Sequence, residues 1–394
     1  MTWLGYERPD GSYGARNYVL IYPTGIVADT ICHFVEGTHN VVIASTPYGP
    51  TEDTAMFNRL CVGLGRNPNI ASVIIDCTGL YWVQSSASPE SLAKEIAKSG
   101  KRVELIGLGH KDTMSVIGKG IKLAREMVYE ASTLRRKPVD DSHLAIGVKC
   151  GSSDATSGIA GNPVIGYVYD KLVKAGGTAM FGETTEIIGA EHLLVKRAIN
   201  PRVAEEILLA VRLNEERAKN TGEDIRGQNP SPVNIKAGLS SIEEKSLGAI
   251  YKSGSMPIQG VLKYAERPKE KGLYFVDNWE ARTSIFMGYA AAGAQIVLFQ
   301  LGGGAYHMDG PLYNPATVKF APLIWCSANP RTRQLAKWNL DFSSAPVIEG
   351  KESIEDAGER LYATILNVAS GTMTRTEMLK YVEPTEPYVK TGPF

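Results

Sequence analysis

Short apolar runs alternate with amphipathic segments along the first third of the chain. Strands are predicted at 18–22, 41–44, 73–76 and 103–106, and helices at 52–64, 89–99 and 113–134. Because strands separated by helices usually pair in parallel, this region predicts an α/β domain. The charged segment RRKPVDDS, residues 135–142, contains a proline and is predicted to be a linker. We therefore expect one domain at 1–137 and a second at 138–394.

The same alternation restarts after the linker. Strands are predicted at 144–148, 178–181, 273–276 and 296–299, and helices at 162–175 and 201–220. Residues 221–240 are rich in loop formers, and 350–394 suggest a helix followed by a polar tail. The predicted fold class is α/β, with two Rossmann-like three-layer domains and mostly parallel sheets.

One stretch without charges, 283–306, is long enough to suggest a membrane span. Glycines and two glutamines interrupt it, which favours a buried helix that leads into a buried strand. The 42 basic and 42 acidic residues cancel, so net charge favours neither a nucleic acid nor a membrane partner. Five scattered cysteines without a CxxC pair, and an early polar N-terminus, indicate a cytoplasmic protein without a secretory signal.

Lys149, Cys150 and Asp154 lie in the segment KCGSSDATSGIAGNP, directly after a predicted strand. Open α/β sheets bind ligands at the carboxyl ends of their strands. A thiolate beside a cation is acidified and can bind a soft metal ion. Alternatively, Cys150 is a small buried apolar residue and Asp154 caps a helix. The residues alone leave both interpretations open.

A second group of polar residues follows the predicted strand 178–181. The segment GETTEIIGAEH contains Glu183, Glu186, Glu191 and His192. Carboxylates and an imidazole suit iron(II) or manganese(II), whereas acidic residues are also common in the first turn of an ordinary helix. Adjacent helical residues do not share a face, so the four side chains cannot all bind one ion.

The N-terminal segment RPDGSYGARN carries Arg16 and Asn17 just before a predicted strand. An arginine fork suits a carboxylate, but Asp-Gly is also a common turn pair. In the loop-rich region, Asn234 and Lys236 are candidates for binding. The pairs formed by Glu243, Glu244 and Lys245 are expected on an exposed helix face.

A glycine-rich loop, 300–310, follows the predicted strand 296–299 and contains His307 and Asp309. Such a loop can offer backbone N–H groups to an anion. It matches neither a Walker nor a Rossmann fingerprint, so these residues are either site residues or polar loop residues.

Several long motifs resemble the altronate/galactarate dehydratase family. They are RPDGSYGARN, NPNIASVII, KCGSSDATSGIAGNP, GETTEIIGAEH, AGLSSIEEKSLGAI and SANPRT. The resemblance implies a lyase that depends on Fe²⁺ or Mn²⁺ and converts a small 2-hydroxy acid to a 2-keto acid. The C2 proton is lost, and the group on C3 leaves as hydroxide. The segments TPYGPTED and SANPRT…DAGERL look more like the large subunit of sulfolactate sulfo-lyase.

The resemblance also implies roles for individual residues. The implied metal ligands are Cys150, Glu186, Glu191 and His192. The implied catalytic residues are Lys149, Asp154 and Glu183. The implied substrate-binding residues are Arg16, Asn17, Asn162, Asn234 and Lys236.

The chain departs from the family pattern in three places. It reads CTGLYW at 77–82, where the dehydratases commonly have a GLGCE-like segment, and its loop at 300–310 matches only loosely. The family's small domain is absent, which implies a small partner subunit. Two alternatives therefore stay open: a sulfo-lyase large subunit that releases sulfite and pyruvate, and a non-catalytic subunit that binds sugar acids. We expect a homo-oligomer in each case.

Overall fold

The structure is a computed structural model of the whole chain, and its secondary structure is described for most residues. The described ranges are 1–23, 25–41, 51–78, 88–110, 112–227, 229–278, 283–308 and 318–379, with only the backbone described at 51 and 52. Part of the predicted strand 41–44, part of the segments 46–53 and 77–82, Asp309 and the end of the C-terminal tail lie outside these residues.

Fourteen strands lie within the described ranges. In chain order they are β1 (Thr2–Glu7), β2 (Tyr13–Gly14), β3 (Tyr18–Tyr22), β4 (Thr38–His39), β5 (Ile70–Asp76), β6 (Val103–Ile106), β7 (Lys137–Asp140), β8 (Ala145–Gly151), β9 (Thr178–Gly182), β10 (Ile258–Lys263), β11 (Gly272–Asp277), β12 (Ile296–Leu301), β13 (Leu323–Ser327) and β14 (Phe342–Ser343).

Thirteen α-helices lie within the same ranges. They are α1 (Ile26–Phe34), α2 (Thr51–Gly65), α3 (Pro89–Ala97), α4 (Thr113–Thr133), α5 (Asn162–Lys174), α6 (Glu191–Val195), α7 (Pro201–Asn220), α8 (Pro232–Lys236), α9 (Ile242–Ala249), α10 (Ser284–Ala291), α11 (Pro330–Leu335), α12 (Ala345–Ile348) and α13 (Ile354–Ala369). None of the helices in the described part of the chain is both long and apolar enough to cross a membrane.

The first sheet has four parallel strands in the order β4-β3-β5-β6. Alternate residues of β3 face opposite sides, as the two-residue period of a strand requires. Val19 and Ile21 pack with Ile31 of α1 and Met127 of α4, whereas Leu20 and Tyr22 belong to the core that includes α2 and α3. Helices thus cover both faces, which makes this unit three layers deep.

The second sheet has seven parallel strands in the order β10-β11-β9-β8-β12-β13-β14. Helices α5, α7 and α13 supply residues to the core on one face, and α10 supplies residues to the core on the other. The middle strand β8 is a nearly continuous buried run, as expected for a parallel strand covered on both faces. These two sheets confirm the predicted α/β class with parallel strands.

The predicted linker forms regular structure instead of a free connection. Residues 137–140 form β7, which pairs antiparallel with β1 in a small sheet of order β2-β1-β7. The N-terminal strand is therefore hydrogen-bonded to the segment that follows the first parallel sheet. The domain boundary at 137/138 stays a prediction.

Several predicted elements agree with the structure. The amphipathic pattern at 201–220 coincides with α7, and the charge-free stretch forms the buried helix α10 followed by the buried strand β12. The loop-rich region 221–240 also contains the short helix α8. The predicted C-terminal helix is α13.

The strand order of the large sheet reverses around β8. The chain passes from β8 to β9 on one side and later places β12 on the other side. In open parallel sheets, such a switch point opens a crevice at the carboxyl ends of the strands. The turns after β8 and β9 lie at this position, and they carry the residues that the sequence analysis selected.

Candidate functional site

The side chains that follow β8 and β9 converge on one buried cluster. We call it the β8–β9 cluster and define it as Lys149, Cys150, Glu183, Glu186 and Lys252. Lys149 and Cys150 end β8, and Glu183 follows β9 directly. Glu183 has φ +71°, a left-handed conformation that non-glycine residues rarely adopt. Such a conformation is often found at functional sites.

Short hydrogen bonds and ion pairs connect the cluster. The Lys149 Nζ donates to Glu183 Oε1 at 2.5 Å, and the Cys150 backbone N–H donates to Glu183 Oε2 at 3.2 Å. The Cys150 thiol donates to Glu186 Oε2 at 2.7 Å. All five side chains are buried, so these charges interact in a medium of low polarity.

Lys252 lies at the centre of the cluster. Its Nζ is 2.6 Å from Glu186 Oε2, 3.1 Å from Glu183 Oε2 and 3.0 Å from Cys150 Sγ. It extends from a short 3₁₀ turn, residues 250–253, that continues from α9. Its ammonium therefore compensates both carboxylates at once, which is the usual condition for burying such charges.

The environment shifts the titration of these groups in opposite directions. Burial and the neighbouring Glu186 raise the pKa of Glu183. Burial also acts to raise the pKa of Glu186, but the lysines, first of all Lys252, hold that pKa well below its ordinary value. Burial, reinforced by Glu186, raises the pKa of the Cys150 thiol to about 12.

The lysines of the cluster stay protonated at neutral pH. Burial disfavours the charge of Lys149, but Glu183 and Glu186 outweigh burial and raise the pKa of Lys149. The pKa of Lys252 is held well above its ordinary value because the attraction of Cys150 and the two glutamates outweighs burial. Ammonium groups donate hydrogen bonds and cannot accept a proton. Lys149 is thus suited to stabilise negative charge, and Glu183 is the better base.

Three residues of the cluster could hold a metal ion. The nearest ligand atoms of Cys150, Glu183 and Glu186 all lie within 4.8 Å of one another. Two carboxylates with one sulfur suit a borderline divalent ion such as iron(II). The Lys252 ammonium contacts all three residues and stands in for a cation between them. The donor set therefore fits a cation.

A pocket of about 210 Å³ lies beside the cluster, between the turn after β8 and helix α9. Lys245 lines this pocket and also reaches the cluster, since its Nζ is 3.5 Å from Glu186 Oε1. Two buried polar atoms of the lining, Ser153 Oγ and Asn162 Oδ1, have no hydrogen-bond partner in the described part of the chain. The other lining residues are Asp154, Ala155, Ser157, Gly158, Ile159, Leu239, Glu244, Gly248 and Ala249.

Asp154 is fully engaged within the protein. Its Oδ1 accepts from the Thr156 hydroxyl and from the Ser157 backbone N–H, and its Oδ2 accepts from Asn329 Nδ2 at 2.8 Å. The turn also packs against Gly303, where a Cβ atom would lie 2.2 Å from Asp154 Oδ2. Asp154 therefore fastens the turn after β8 to the segments after β12 and β13.

The structure does not place Arg16 as a free clamp for a substrate. All five guanidinium N–H groups donate within the protein: to Glu377 twice, and to the carbonyls of Ala15, Val368 and Thr372. No donor is left for a ligand. The Arg16 fork is thus used for internal packing, and substrate binding by Arg16 stays a prediction.

Asn17 is also committed to internal contacts. Its Oδ1 accepts from Arg8 Nη1, and its Nδ2 donates to the Ala131 carbonyl at the end of α4. It therefore joins the start of β3 to α4, and substrate binding by Asn17 stays a prediction.

The predicted binding residues Asn234 and Lys236 differ in burial and in their contacts. Asn234 caps its own helix by accepting from Ser231, and its Nδ2 donates to the Ser153 carbonyl. Asn234 thus helps to hold the turn that lines the pocket. Lys236, in contrast, is exposed at the end of α8, with no contact to the cluster within the described residues.

Glu191 and His192 do not join the other candidate ligands. They begin α6, where Glu191 is half-buried and His192 is exposed. Within the described ranges, neither residue belongs to a group of ligand atoms close enough to share an ion. Of the four predicted ligands, only Cys150 and Glu186 lie in such a group, together with Glu183, and metal binding by Glu191 and His192 stays a prediction.

Two lysines of the site were not predicted from the sequence. Lys245 is buried and donates to Asn229 Oδ1 at 2.7 Å, although it was expected on an exposed face, and Lys252 was not selected. Lys245 lies three residues after the apolar Ile242, and Lys252 lies three residues after the apolar Ala249. This spacing places both lysines on the helical face of those apolar residues. A charged residue on a buried stripe is the signal that could have found them.

Two family models match most of the chain. Residues 141–388 match the family model of the D-galactarate/altronate dehydratase C-terminal domain, and residues 5–132 match the model of the second domain of D-galactarate dehydratase/altronate hydrolase. The chain is 33% identical over 391 residues to the (2R)-sulfolactate sulfo-lyase subunit beta of Chromohalobacter salexigens. That match covers 97% of this chain and 96% of the relative.

Two dehydratases are also similar. The chain is 29% identical to the altronate dehydratase of Bacillus subtilis, with 97% of this chain and 76% of the relative covered. It is 30% identical to the galactarate dehydratase (L-threo-forming) of Escherichia coli, with 77% and 57% covered. Because the matching family models cover most of its length and a relative is 33% identical over nearly the whole chain, the chain belongs to the D-galactarate/altronate dehydratase family of lyases.

Proposed function

We propose that the chain is a metal-dependent β-eliminating lyase that dehydrates a sugar acid or another small 2-hydroxy carboxylate to a 2-keto acid. The observation that carries this proposal is the β8–β9 cluster. Two buried carboxylates are surrounded there by ammonium groups, beside a small polar pocket at the carboxyl ends of the central strands. Such a cluster can remove a proton and stabilise the resulting negative charge.

Glu183 is the proposed base for the C2 proton. Its raised pKa makes it a stronger base than an ordinary carboxylate, and its neighbour Lys149 stays positively charged. The substrate loses a proton at C2 and hydroxide at C3, which together make one water molecule. The ammonium group of Lys149 stabilises the negative charge at the substrate carboxylate, and the enol product then takes its keto form.

Cys150 and Glu186 would hold the metal ion, which we propose to be Fe²⁺ or Mn²⁺. A bound ion supplies Lewis acidity, which makes a proton next to a carboxylate easier to remove. This assignment leaves Glu183 for the proton. The spacing of the three ligand atoms, together with the central cation-binding position, supports the proposal.

The pocket beside the cluster is the proposed place for the rest of the substrate. Its volume of about 210 Å³ suits a small molecule. Ser153 Oγ and Asn162 Oδ1 lack partners among the described residues. Asn162 Nδ2 donates to the Gly248 carbonyl, so Oδ1 is left to accept from a substrate hydroxyl. Lys245 reaches from this pocket toward Glu186 and would meet a negatively charged group.

A second candidate is sulfo-lyase chemistry, in which sulfite leaves from C3 of sulfolactate. The observation that favours it is the match over nearly the full length of both chains with the sulfo-lyase subunit beta. The word subunit in that name also supports a partner chain. A cytoplasmic location and a homo-oligomeric state are proposed with either reaction.

An anaerobic assay tests the proposal. The purified chain is loaded with Fe²⁺ or Mn²⁺ and offered altronate, galactarate and sulfolactate, and 2-keto acid and sulfite are measured separately. A keto acid without sulfite supports the dehydratase, and sulfite with pyruvate supports the second candidate. If neither product forms while a substrate still binds, a non-catalytic subunit replaces both. The variant Glu183→Gln, prepared identically, controls for contaminating enzymes.

A further inference from the structure

Lys252 occupies the place between the three candidate metal ligands. Its Nζ contacts Cys150 Sγ, Glu183 Oε2 and Glu186 Oε2 at 2.6–3.1 Å. These are the same residues whose ligand atoms lie within 4.8 Å of one another. A divalent ion bound by oxygen ligands at about 2.0–2.2 Å would have to lie next to this nitrogen or replace it.

Two physical effects make the ammonium and a divalent ion alternatives. The first is space, since a cation centred among the three donors overlaps the position of Nζ. The second is charge, because two like charges only a few ångströms apart repel strongly in a buried site. The residue that holds the cluster together without a metal therefore opposes the metal.

The same ammonium keeps the cluster stable without an ion. Glu183 and Lys252 have no exposed surface, and Glu186 is only 1% exposed. Without Lys252, the buried Oε2 atoms of Glu183 and Glu186 would each lose an ion-pair partner, which is destabilising although Lys149 and Lys245 remain nearby. The flexible stem of a lysine, here on the short turn 250–253, is suited to fill such a place and to leave it.

We propose that Lys252 fills the cation position of the metal-free site and that a metal ion binds there only when the Lys252 ammonium withdraws. This inference rests on the metal site of the proposed function. It names Lys252 as a positioning residue that holds the ligands in place before the ion arrives and sets how tightly the ion binds.

Metal titration of two matched variants tests the inference. Lys252→Met removes the central ammonium, and Lys245→Met removes an equal charge that is 3.5 Å from Glu186 but outside the central position. Binding is followed by calorimetry with Mn²⁺ and by the sulfur-to-metal absorption band of Co²⁺, which reports ligation by Cys150. We expect Lys252→Met to bind at least tenfold more tightly than the unaltered chain, and Lys245→Met less than threefold more tightly.

If a variant is unstable as purified, thermal unfolding with and without Mn²⁺ provides a second test of the inference. Lys252→Met should melt at a lower temperature than the unaltered chain without metal and gain more from Mn²⁺. Equal metal affinity of Lys252→Met and the unaltered chain would overturn the inference. Equal gains in metal affinity for Lys252→Met and Lys245→Met would also overturn it, because the change in overall charge would then explain both. The absence of a sulfur-to-metal band in all three proteins would remove the metal site itself, and keto acid release would still test the lyase reaction independently.

Discussion

Two buried ionic clusters of this chain differ in whether they leave charged groups available for a ligand. Arg16 meets Glu377 with two hydrogen bonds and gives its remaining three donors to backbone carbonyls. The β8–β9 cluster, in contrast, has two carboxylates facing the ammonium groups of Lys149, Lys252 and the adjacent Lys245. One cluster is saturated, and the other has positive charge in excess.

This difference in charge balance indicates which cluster has capacity for a ligand. The Arg16 pair is neutral, and each of its donors has a partner. Around Glu183 and Glu186, three ammonium groups minus two carboxylates leave one positive charge when the Cys150 thiol is neutral. A buried excess charge is costly unless a counter-charge joins it. The carboxylate of a hydroxy-acid substrate would provide that charge. Because both clusters are buried and only one has excess charge, burial alone does not identify a functional group.

The largest expected effect is the loss of the proposed base. Glu183→Gln keeps the size of the side chain but removes proton acceptance, so kcat should fall by about 10²- to 10⁴-fold, the usual contribution of general base catalysis. Keto acid release under saturating substrate measures it, and circular dichroism checks the fold. If the variant keeps more than half of the original kcat, Glu183 is not the base that accepts the proton.

The next largest effect should be on stability. Arg16→Met leaves Glu377 buried without its partner, which should lower the free energy of unfolding by about 3–5 kcal/mol. Urea unfolding measures the loss. The kcat of the folded fraction should change less than twofold, because Arg16 has no donor free for a substrate. A selective rise in KM with unchanged stability would restore Arg16 as a binding residue.

The fold could be predicted well from the pattern of the chain. Alternating strands and helices follow directly from apolar periodicity, and the continuous apolar run of β8 indicates a buried parallel strand. The small sheet was missed because β7 contains charged residues and a proline, which resemble a linker. Its pairing with β1 joins residues about 135 positions apart, and no local pattern reports such a contact.

The site could be predicted only in part. Lys149, Cys150, Glu183 and Glu186 follow neighbouring parallel strands, so their proximity was foreseeable. Lys252 meets Glu186 from 66 positions further along the chain, and that contact depends on how α9 packs. The residue type alone does not show whether a side chain is free to bind a ligand. Apart from the adjacent Ala15, the internal partners of Arg16 come from the distant C-terminal region.

A smaller effect is expected in the pocket. Ser153→Ala removes a buried hydroxyl that has no partner in the described protein, so folding should lose little. If the hydroxyl binds substrate, KM should rise about tenfold, which corresponds to one hydrogen bond of about 1.4 kcal/mol. Ser72→Ala is the matched control, because Ser72 Oγ on β5 is also buried without a partner in the described residues. Equal KM values in both variants would exclude this hydroxyl from the substrate site.

The smallest effect should follow from His192→Ala. His192 is exposed in the first turn of α6, and its ring belongs to no close group of candidate ligands among the residues described. Metal affinity and kcat/KM should both stay within twofold of the unaltered chain, and stability within about 0.5 kcal/mol, as for ordinary surface substitutions. Metal titration is the deciding measurement. A loss of metal binding would mean that the ion lies near α6, and the β8–β9 cluster would then act through its lysines and carboxylates alone.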